Sequence, residues 1–475
     1  MNVLIWFKRD LRISDHPALT YAAGLGAVLP LYIVEPDYWA LPDTSARQWA
    51  FTAECLEDLR GALADLGAPL LVRVGDAQTV LERICRQHNI TRIISHAEVG
   101  NAFTLARNQR IAAWAAEAGI WWQELPQPLA SDAAPALPAP LALNVVPGLV
   151  AGQIPNARAL RLADDSCGHR QRGGRSQALD LRDSFLQHRS ALYQAAQATP
   201  LLAERACSRL SPHFAQGTVS VREVAQAPQP LQADVRWSRA LNSFRDRLRW
   251  RGQSLDLLSQ HPELINRCHH APAELLRRSS DPARLAAWQN AETGLPFLDA
   301  CLRYLAATGW LSFRARALVI GFASYHLWLD WRVCGAVLAR RLTDYDPGLH
   351  WPQVQIQSGT MAAQPPRIPD PIRQATLLDP SGTFTRRWVP ELSAVPDHAL
   401  QTPWRWNGAK HLLGRRYPEP VVDIASAQRL ARTALLPVYP SPSTKADQPL
   451  LIEPTTTTLR PLRRSGSPGQ LTLDL

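Results

Sequence analysis

The first third of the chain alternates short apolar runs with stretches whose apolar positions recur every three or four residues. The runs Val3–Phe7, Val28–Val34, Leu70–Val74, Arg92–Ser95 and Ile120–Gln123 predict strands. Between them, Ser45–Leu66 and Ala77–His88 carry the helical period. Strands and helices in alternation predict an α/β domain built on a doubly wound parallel sheet. No GxGxxG follows the first strand, so the usual dinucleotide fingerprint is absent.

The pattern changes near Pro126. Up to Gly174 the chain is rich in proline, alanine and glycine, as in ASDAAPALPAPLALNVVPGLVAGQIP. That texture predicts a long connection lying over the surface. Helical periodicity then takes over, in Val235–Leu258, Asp281–Asn290, Pro296–Thr308 and Ser312–Leu329. From Pro440 the segment PSPSTKADQPLLIEPTTTTLRPLRRSGSPG predicts a disordered tail. The expected organisation is therefore an α/β domain over 1–126, a connection over 127–174, an all-α domain over 175–439 and a tail over 440–475. A chain of 475 residues is also too long for one ordinary domain.

Composition narrows the function classes. No run of about 18 uncharged apolar residues occurs, which argues against a membrane span. The opening MNVLIWFKRDLR meets charge too early for a signal peptide, so a cytoplasmic protein is expected. Seven cysteines are scattered singly with no CxxC pair, which gives a zinc site no support and fits a reducing compartment. The net charge is +10, carried almost wholly by arginine, since the lysines are only Lys8, Lys410 and Lys445. A basic surface favours polyanions, nucleic acid above all. Arginine suits phosphate, although GC-rich coding produces the same bias.

Three segments offer chemistry. In Ala206-Cys207-Ser208-Arg209-Leu210-Ser211-Pro212, two hydroxyls flank an arginine before a helix. Such a turn either presents hydroxyls and backbone N–H groups to a phosphate or simply caps the helix. In Phe244-Arg245-Asp246-Arg247-Leu248-Arg249-Trp250-Arg251, helical spacing puts Arg247 and Arg251 on one face. That face suits a phosphate or base, and equally a solvated basic surface. Third, Arg314 and Arg316 stand in the apolar stretch GWLSFRARALVIGFASYHLWLDW, and buried arginines need partners. Asp344 and Asp346 can supply them, in a structural salt bridge that is compatible with function.

The motifs taken in order carry more than any one of them. LIWFKRDLRISDHPAL, ACSRLSPHFAQGTVSVREV, WQNAETGLPFLDACLRYLAATGW and DPSGTFTRRWVPEL together resemble the DNA photolyase and cryptochrome family, as a divergent, bacterial-type member, over roughly residues 1–435. The resemblance implies FAD in the helical domain and a blue-light photolyase that repairs cyclobutane pyrimidine dimers in damaged DNA. The alternative it leaves open is a cryptochrome photoreceptor without repair activity. A monomer is expected, and a folate or deazaflavin type of antenna chromophore is a further possibility, with His96, Glu98 and Asn101 where family antenna sites are often found.

Carried over by residue, the resemblance places Tyr193, Cys207, Ser208, Arg209, Leu210, Ser211, Phe244, Arg251, Arg314, Arg316, Asp344, Tyr345, Asp346 and His350 around the cofactor. It gives Arg247, Trp250, Phe313 and Gln374 to DNA, and Trp250, Arg316, Asp344, His350 and Trp331 to the reaction. Departures gather at the same place. Phe313 replaces an asparagine, Arg247 a glutamate and His350 the asparagine that faces the central flavin ring. Val354 and Ile356 stand where two tryptophans are usual. Of the electron chain that reduces the flavin, only Trp331 is matched. The surface member is Arg278, which leaves Trp351, Trp328 or Tyr345 as substitutes.

Overall fold

The computed structural model describes residues 1–227, 235–277, 279–361 and 366–439. The expected tail and Arg278 lie outside the described residues.

Five strands form one parallel sheet: β1 (Asn2–Phe7), β2 (Ala27–Val34), β3 (Leu71–Val74), β4 (Ile90–His96) and β5 (Trp121–Leu125). Their order is β3-β2-β1-β4-β5, with β1 in the centre. Val3 stands opposite Val28 of β2 and Arg92 of β4. Every residue from Val3 to Phe7 is buried, as a continuous apolar run in a sheet covered on both faces requires. Alternate residues serve opposite faces. Val3, Ile5 and Phe7 pack with Leu56, Leu59 and Leu63 of the helix Ala46–Asp65. Leu4 and Trp6 pack with Leu81 and Ile84 of the helix Ala77–Gln87. These elements match the periodicity read from the sequence to within two residues at each end.

Between Leu125 and the helix Arg175–Ser184 the chain forms neither helix nor strand, apart from an isolated bridge of Val145 to Val28. Beyond it the described chain is helical. The Val235–Gln260 and Pro296–Thr308 helices stand where the apolar period put them. The single helix expected over Ser312–Leu329 is instead a helix Phe313–Gly321 that widens into a π-turn over Phe322–His326. Two residues beyond it stands Trp328, whose φ of 57° is left-handed. Such insertions leave the apolar pattern almost unchanged, so the pattern does not reveal them. All seven cysteines are free thiols.

The two halves are tied by polar contacts. Buried Asp15 is paired with Arg222, and Gln48 donates to the carbonyl of Ala339 at 2.8 Å. Gly217, in the left-handed region, ends the helix Ser211–Gln216 against the loop after β1. A Cβ there would lie 2.3 Å from the Arg9 carbonyl, so only glycine permits the approach.

Candidate functional site

The turn after the helix Pro200–Ala206 runs through Cys207 to the helix that begins at Ser211. Arg209 holds a left-handed φ of 62°, unusual for a side chain with Cβ. The guanidinium of Arg189 supports this turn from behind, donating to the carbonyl of Cys207 and, at 3.4 Å, to that of Ser208. Burial pushes the Cys207 thiol up to about 11, so it stays protonated near neutral pH.

Opposite the turn, the Val235–Gln260 helix presents Phe244, Arg247, Trp250 and Arg251 to the same cavity, which measures about 220 Å³. The third wall comes from Arg314 and Arg316 and from Asp344, Tyr345, Asp346 and His350. Segments far apart in sequence thus close on one space. Part of their charge is paired within it. Arg251 donates to Asp346 at 2.6 Å, and Arg9 approaches the other carboxylate oxygen at 3.6 Å. Burial opposes ionisation of Asp346, yet Arg9 and Arg251 hold its carboxyl below the usual range. Arg316 donates to Asp344 at 2.5 Å and to the carbonyl of Leu311 at 3.0 Å.

His350 is buried, which pushes its pKa down to about 4. It is neutral at physiological pH. Its Nε2 lies 2.9 Å from the carbonyl of Gly335, which can only accept, so Nδ1 is the lone-pair nitrogen. Behind it the rings of His350 and Trp351 meet at 5.1 Å, and those of Trp351 and Trp331 at 5.9 Å. Gly335 makes room for this stack, because a Cβ would sit 2.4 Å from the Trp351 ring. Trp351 Nε1 donates to Tyr345 Oη at 3.1 Å, and Tyr345 donates to Asp43 at 2.5 Å.

At the mouth, Trp250 meets Phe313 edge-on at 5.9 Å, and the Arg247 guanidinium lies over the Phe313 ring at 4.6 Å. Arg247 also donates to Gln197 at 3.4 Å. Burial and the neighbouring charge of Arg247 lower the pKa of Arg314. Tyr193 and Phe244 pack together at 5.7 Å on the inner side.

The remaining expected residues lie elsewhere. Leu210 is buried beneath the turn and does not line the cavity. Trp331 is outside the lining and in ring contact with Trp351, while Trp328 packs in a separate cluster with Tyr325 and Tyr439. Gln374 sits on the helix Pro371–Leu378, outside the lining. Other lining residues were missed in the sequence, among them Phe214, Leu248, Trp310 and Gln353. Asp43 was missed too, and no local signal marks it, because its partner lies 302 positions away.

The cavity suits a large polar aromatic ligand. Ser211 Oγ, Trp250 Nε1, Asp344 Oδ1 and Gln353 Nε2 are all buried without a partner among the described residues. Orphaned donors and acceptors on one lining call for a bound group to satisfy them. A second cavity of about 580 Å³ shares Phe214, Leu248, Arg251 and Asp346 with the first and opens between the two halves. FAD, a diphosphate with a flat ring and hydroxyls, fits this set of donors, acceptors and arginine–carboxylate pairs.

Of the expected antenna residues, Glu98 lines a cavity of about 60 Å³, together with Trp6 and Tyr38, where the α/β half meets Gln216, Thr343 and Tyr345 of the helical half. Asn101 caps the helix Ala102–Glu117, accepting from Thr104 N at 3.1 Å. His96 Nδ1 lies 2.7 Å from Asp10, whose same oxygen is 3.0 Å from His16 Nε2. The other nitrogens accept backbone N–H groups, His16 from Leu19 and His96 from Ala18. Each imidazole therefore turns its proton towards Asp10. These three residues are a structural knot, with no lone pairs left facing a shared ion.

Comparison with known proteins agrees with this geometry. A family model described as DNA photolyase matches residues 3–134, and one described as the FAD binding domain of DNA photolyase matches residues 244–436. The chain is 28% identical to a deoxyribodipyrimidine photo-lyase of Salmonella typhimurium, over 92% of this chain and 98% of that one. It is 27% identical to a cryptochrome DASH of Gloeobacter violaceus, over 89% and 93% of the two chains. Among solved structures, a class III photolyase from Agrobacterium tumefaciens superimposes with a TM-score of 0.82 at 26% identity, covering 92% of this chain and 97% of that one. A Sulfolobus tokodaii photolyase, solved with two FAD molecules, shares the fold with a TM-score of 0.78 at 24% identity, covering 91% and 99%.

Proposed function

Since the chain belongs to the DNA photolyase and cryptochrome family and carries FAD, we propose that it is a blue-light-driven photolyase that splits cyclobutane pyrimidine dimers in DNA. The observation that supports this most is the closure of the Ser208 turn, the Arg251 helix and the Arg316–Asp344 pair round one cavity. In this reading Cys207, Ser208, Arg209 and Ser211, with Leu210 packed beneath them, hold the diphosphate. Tyr193 and Phe244 flank it, and Arg251, Arg314, Arg316, Asp344, Tyr345, Asp346 and His350 hold the ring system.

The reduced flavin, when bound, absorbs blue light and supplies one electron to the lesion. The protein's part is positioning and electrostatics. Arg316, fixed by Leu311 and Asp344, keeps a positive charge against the electron-rich ring. His350 presents Nδ1 without a proton. Trp250 and Phe313 form an apolar wall for a flipped lesion, whose extrusion costs a few kcal/mol and least for a damaged pair. Arg247 and Gln374 grip the DNA backbone without reading its sequence. Trp351 and Trp331 carry electrons towards the cavity. The α/β domain over 1–126, the connection over 127–174 and the helical domain over 175–439 act as one cytoplasmic monomer. No described helix is long and apolar enough to cross a membrane.

A cryptochrome photoreceptor is the second reading, and the stacking of Arg247 over Phe313 favours it by occupying the mouth. One experiment decides. The flavin-loaded protein is reduced and illuminated with dimer-containing oligonucleotide. Restored thymine absorbance supports repair. A flavin-bearing protein that binds the oligonucleotide and leaves the dimers intact is a photoreceptor.

A further inference from the structure

Behind the turn that carries Ser208 and Arg209 lies another cavity, of about 450 Å³, which the flavin reading does not use. Arg209 belongs to the lining of both, so the turn is the partition between them. Its far walls come from the loop around His169 and Gln171, the helix Pro200–Ala206, the helix Pro296–Thr308 and the helix Thr383–Trp388.

The charge on this lining is lopsided. Arg189, Arg205, Arg209 and Arg387 face a single carboxylate, Glu204. Arg189 spends its donors on the carbonyls of Leu181, Cys207 and Ser208. Arg209 lies over Trp310 at 4.0 Å and donates to Tyr304 at 3.2 Å. Arg387 donates to Glu204 at 3.0 Å. The exposed Arg205 guanidinium has no partner among the described residues. Arginine forks at a cavity rim suit a phosphate ester.

The rest of the lining asks for more than an anion. Glu204 Oε1 and Gln171 Oε1 are buried acceptors without donors, and Trp388 Nε1 is a buried donor without an acceptor. Gln171 is held in this orientation because its Nε2 donates to the carbonyl of Arg209 at 2.9 Å. Tyr304 and Trp388, edge to face at 5.3 Å, supply an aromatic wall. A ligand that satisfies all of these carries phosphate, hydroxyl or amino donors, and a flat ring. The volume lies within the usual range for small-molecule sites.

We propose that this cavity binds a free mononucleotide, on the opposite side of the turn from the flavin. The test is calorimetric titration of the flavin-saturated protein with adenosine monophosphate. Inorganic phosphate, adenosine and a single-stranded oligonucleotide serve as the other arms. Adenosine monophosphate should bind more tightly than phosphate or adenosine, without releasing flavin. The double variant R205A/R387A should weaken it at least tenfold, and Arg86→Ala, at an exposed position that lines neither cavity, should leave it unchanged. Arg205→Gln alone, at an exposed position, should still weaken binding severalfold if the double variant folds poorly. Three results overturn the proposal. The first is binding that is absent or indifferent to Arg205. The second is flavin release on binding, which would place the nucleotide in the flavin cavity. The third is displacement by the oligonucleotide with an equal loss of its affinity in the double variant, which would make the site a strand contact.

Discussion

On the floor of the flavin cavity Arg251 and Arg316 each meet a carboxylate. Arg9 and Arg251 share Asp346, and Arg316 holds Asp344. At the mouth, Arg247 and Arg314 meet no carboxylate among the described residues. Arg247 rests on Phe313, and Arg314 has Arg247 for a neighbour. The difference follows from what each region faces. A floor closed off from water must neutralise its charges internally. A mouth that receives a polyanion keeps its cations for the incoming phosphates.

The largest expected effect comes from breaking the floor. Asp346→Ala leaves Arg9 and Arg251 without their shared partner. Removing one member of a buried pair costs about 3–5 kcal/mol, and the partial exposure of both arginines puts this case near the lower end. The variant should purify with little flavin and unfold at markedly lower denaturant. Asp346→Asn should recover part of the stability. Flavin content unchanged in Asp346→Ala would remove the floor from the argument.

Next is the aromatic stack behind the floor. Trp351→Phe and Trp331→Phe should each slow photoreduction of the oxidised flavin by an order of magnitude or more, followed by absorbance under blue light with an external thiol. Flavin content should be unchanged. Photoreduction at the parental rate in both variants would mean that electrons take another path, and Tyr345→Phe would then be the variant to examine.

At the mouth the effects are smaller and of another kind. Arg247→Ala should weaken DNA binding about equally for all sequences, and should reduce the slope of log affinity against log salt by about 1. Flavin content and stability should hardly move. A variant that lost flavin instead would show that the mouth belongs to the floor.

The same contrast explains what the sequence could reveal. Arg316 and Asp344 were readable as partners because arginines in an apolar stretch require carboxylates and few were in range. The α/β sheet was readable because β1 is apolar on both faces. At the mouth, helical spacing singled out Arg247 but left a phosphate contact and a solvated face open, since an exposed arginine has no compulsory partner and its surroundings are set by tertiary packing. Gln353 and Phe214 went unnoticed because nothing local separates a lining residue from a core one. Asp43 meets Tyr345 only after the two halves dock, and a widened turn at Phe322–His326 conserves the apolar pattern that would have exposed it.

The effect most diagnostic of burial is a pH dependence. Burial pushes His350 on the floor down to about 4, and His96, His213 and His326 elsewhere to the same value. An unfolded histidine titrates near 6.5. Each of these groups is therefore neutral in the fold and takes up a proton on unfolding once the pH falls below that value. The stability they contribute is whole above about pH 6.5 and is lost as the pH descends to about 4, each adding up to about 1.4 kcal/mol per pH unit within the window. His350→Gln should flatten the decline by one such increment, measured by denaturant unfolding across the window. DNA contact by an arginine does not depend on pH in this window, since the guanidinium side chain is not deprotonated in proteins. DNA affinity of Arg247→Ala relative to the parent should therefore stay constant over the same range while the stability difference of His350→Gln does not. Equal pH slopes for the parent and His350→Gln would mean that the ring is hydrated in solution, and that water reaches the floor of the cavity as freely as its mouth.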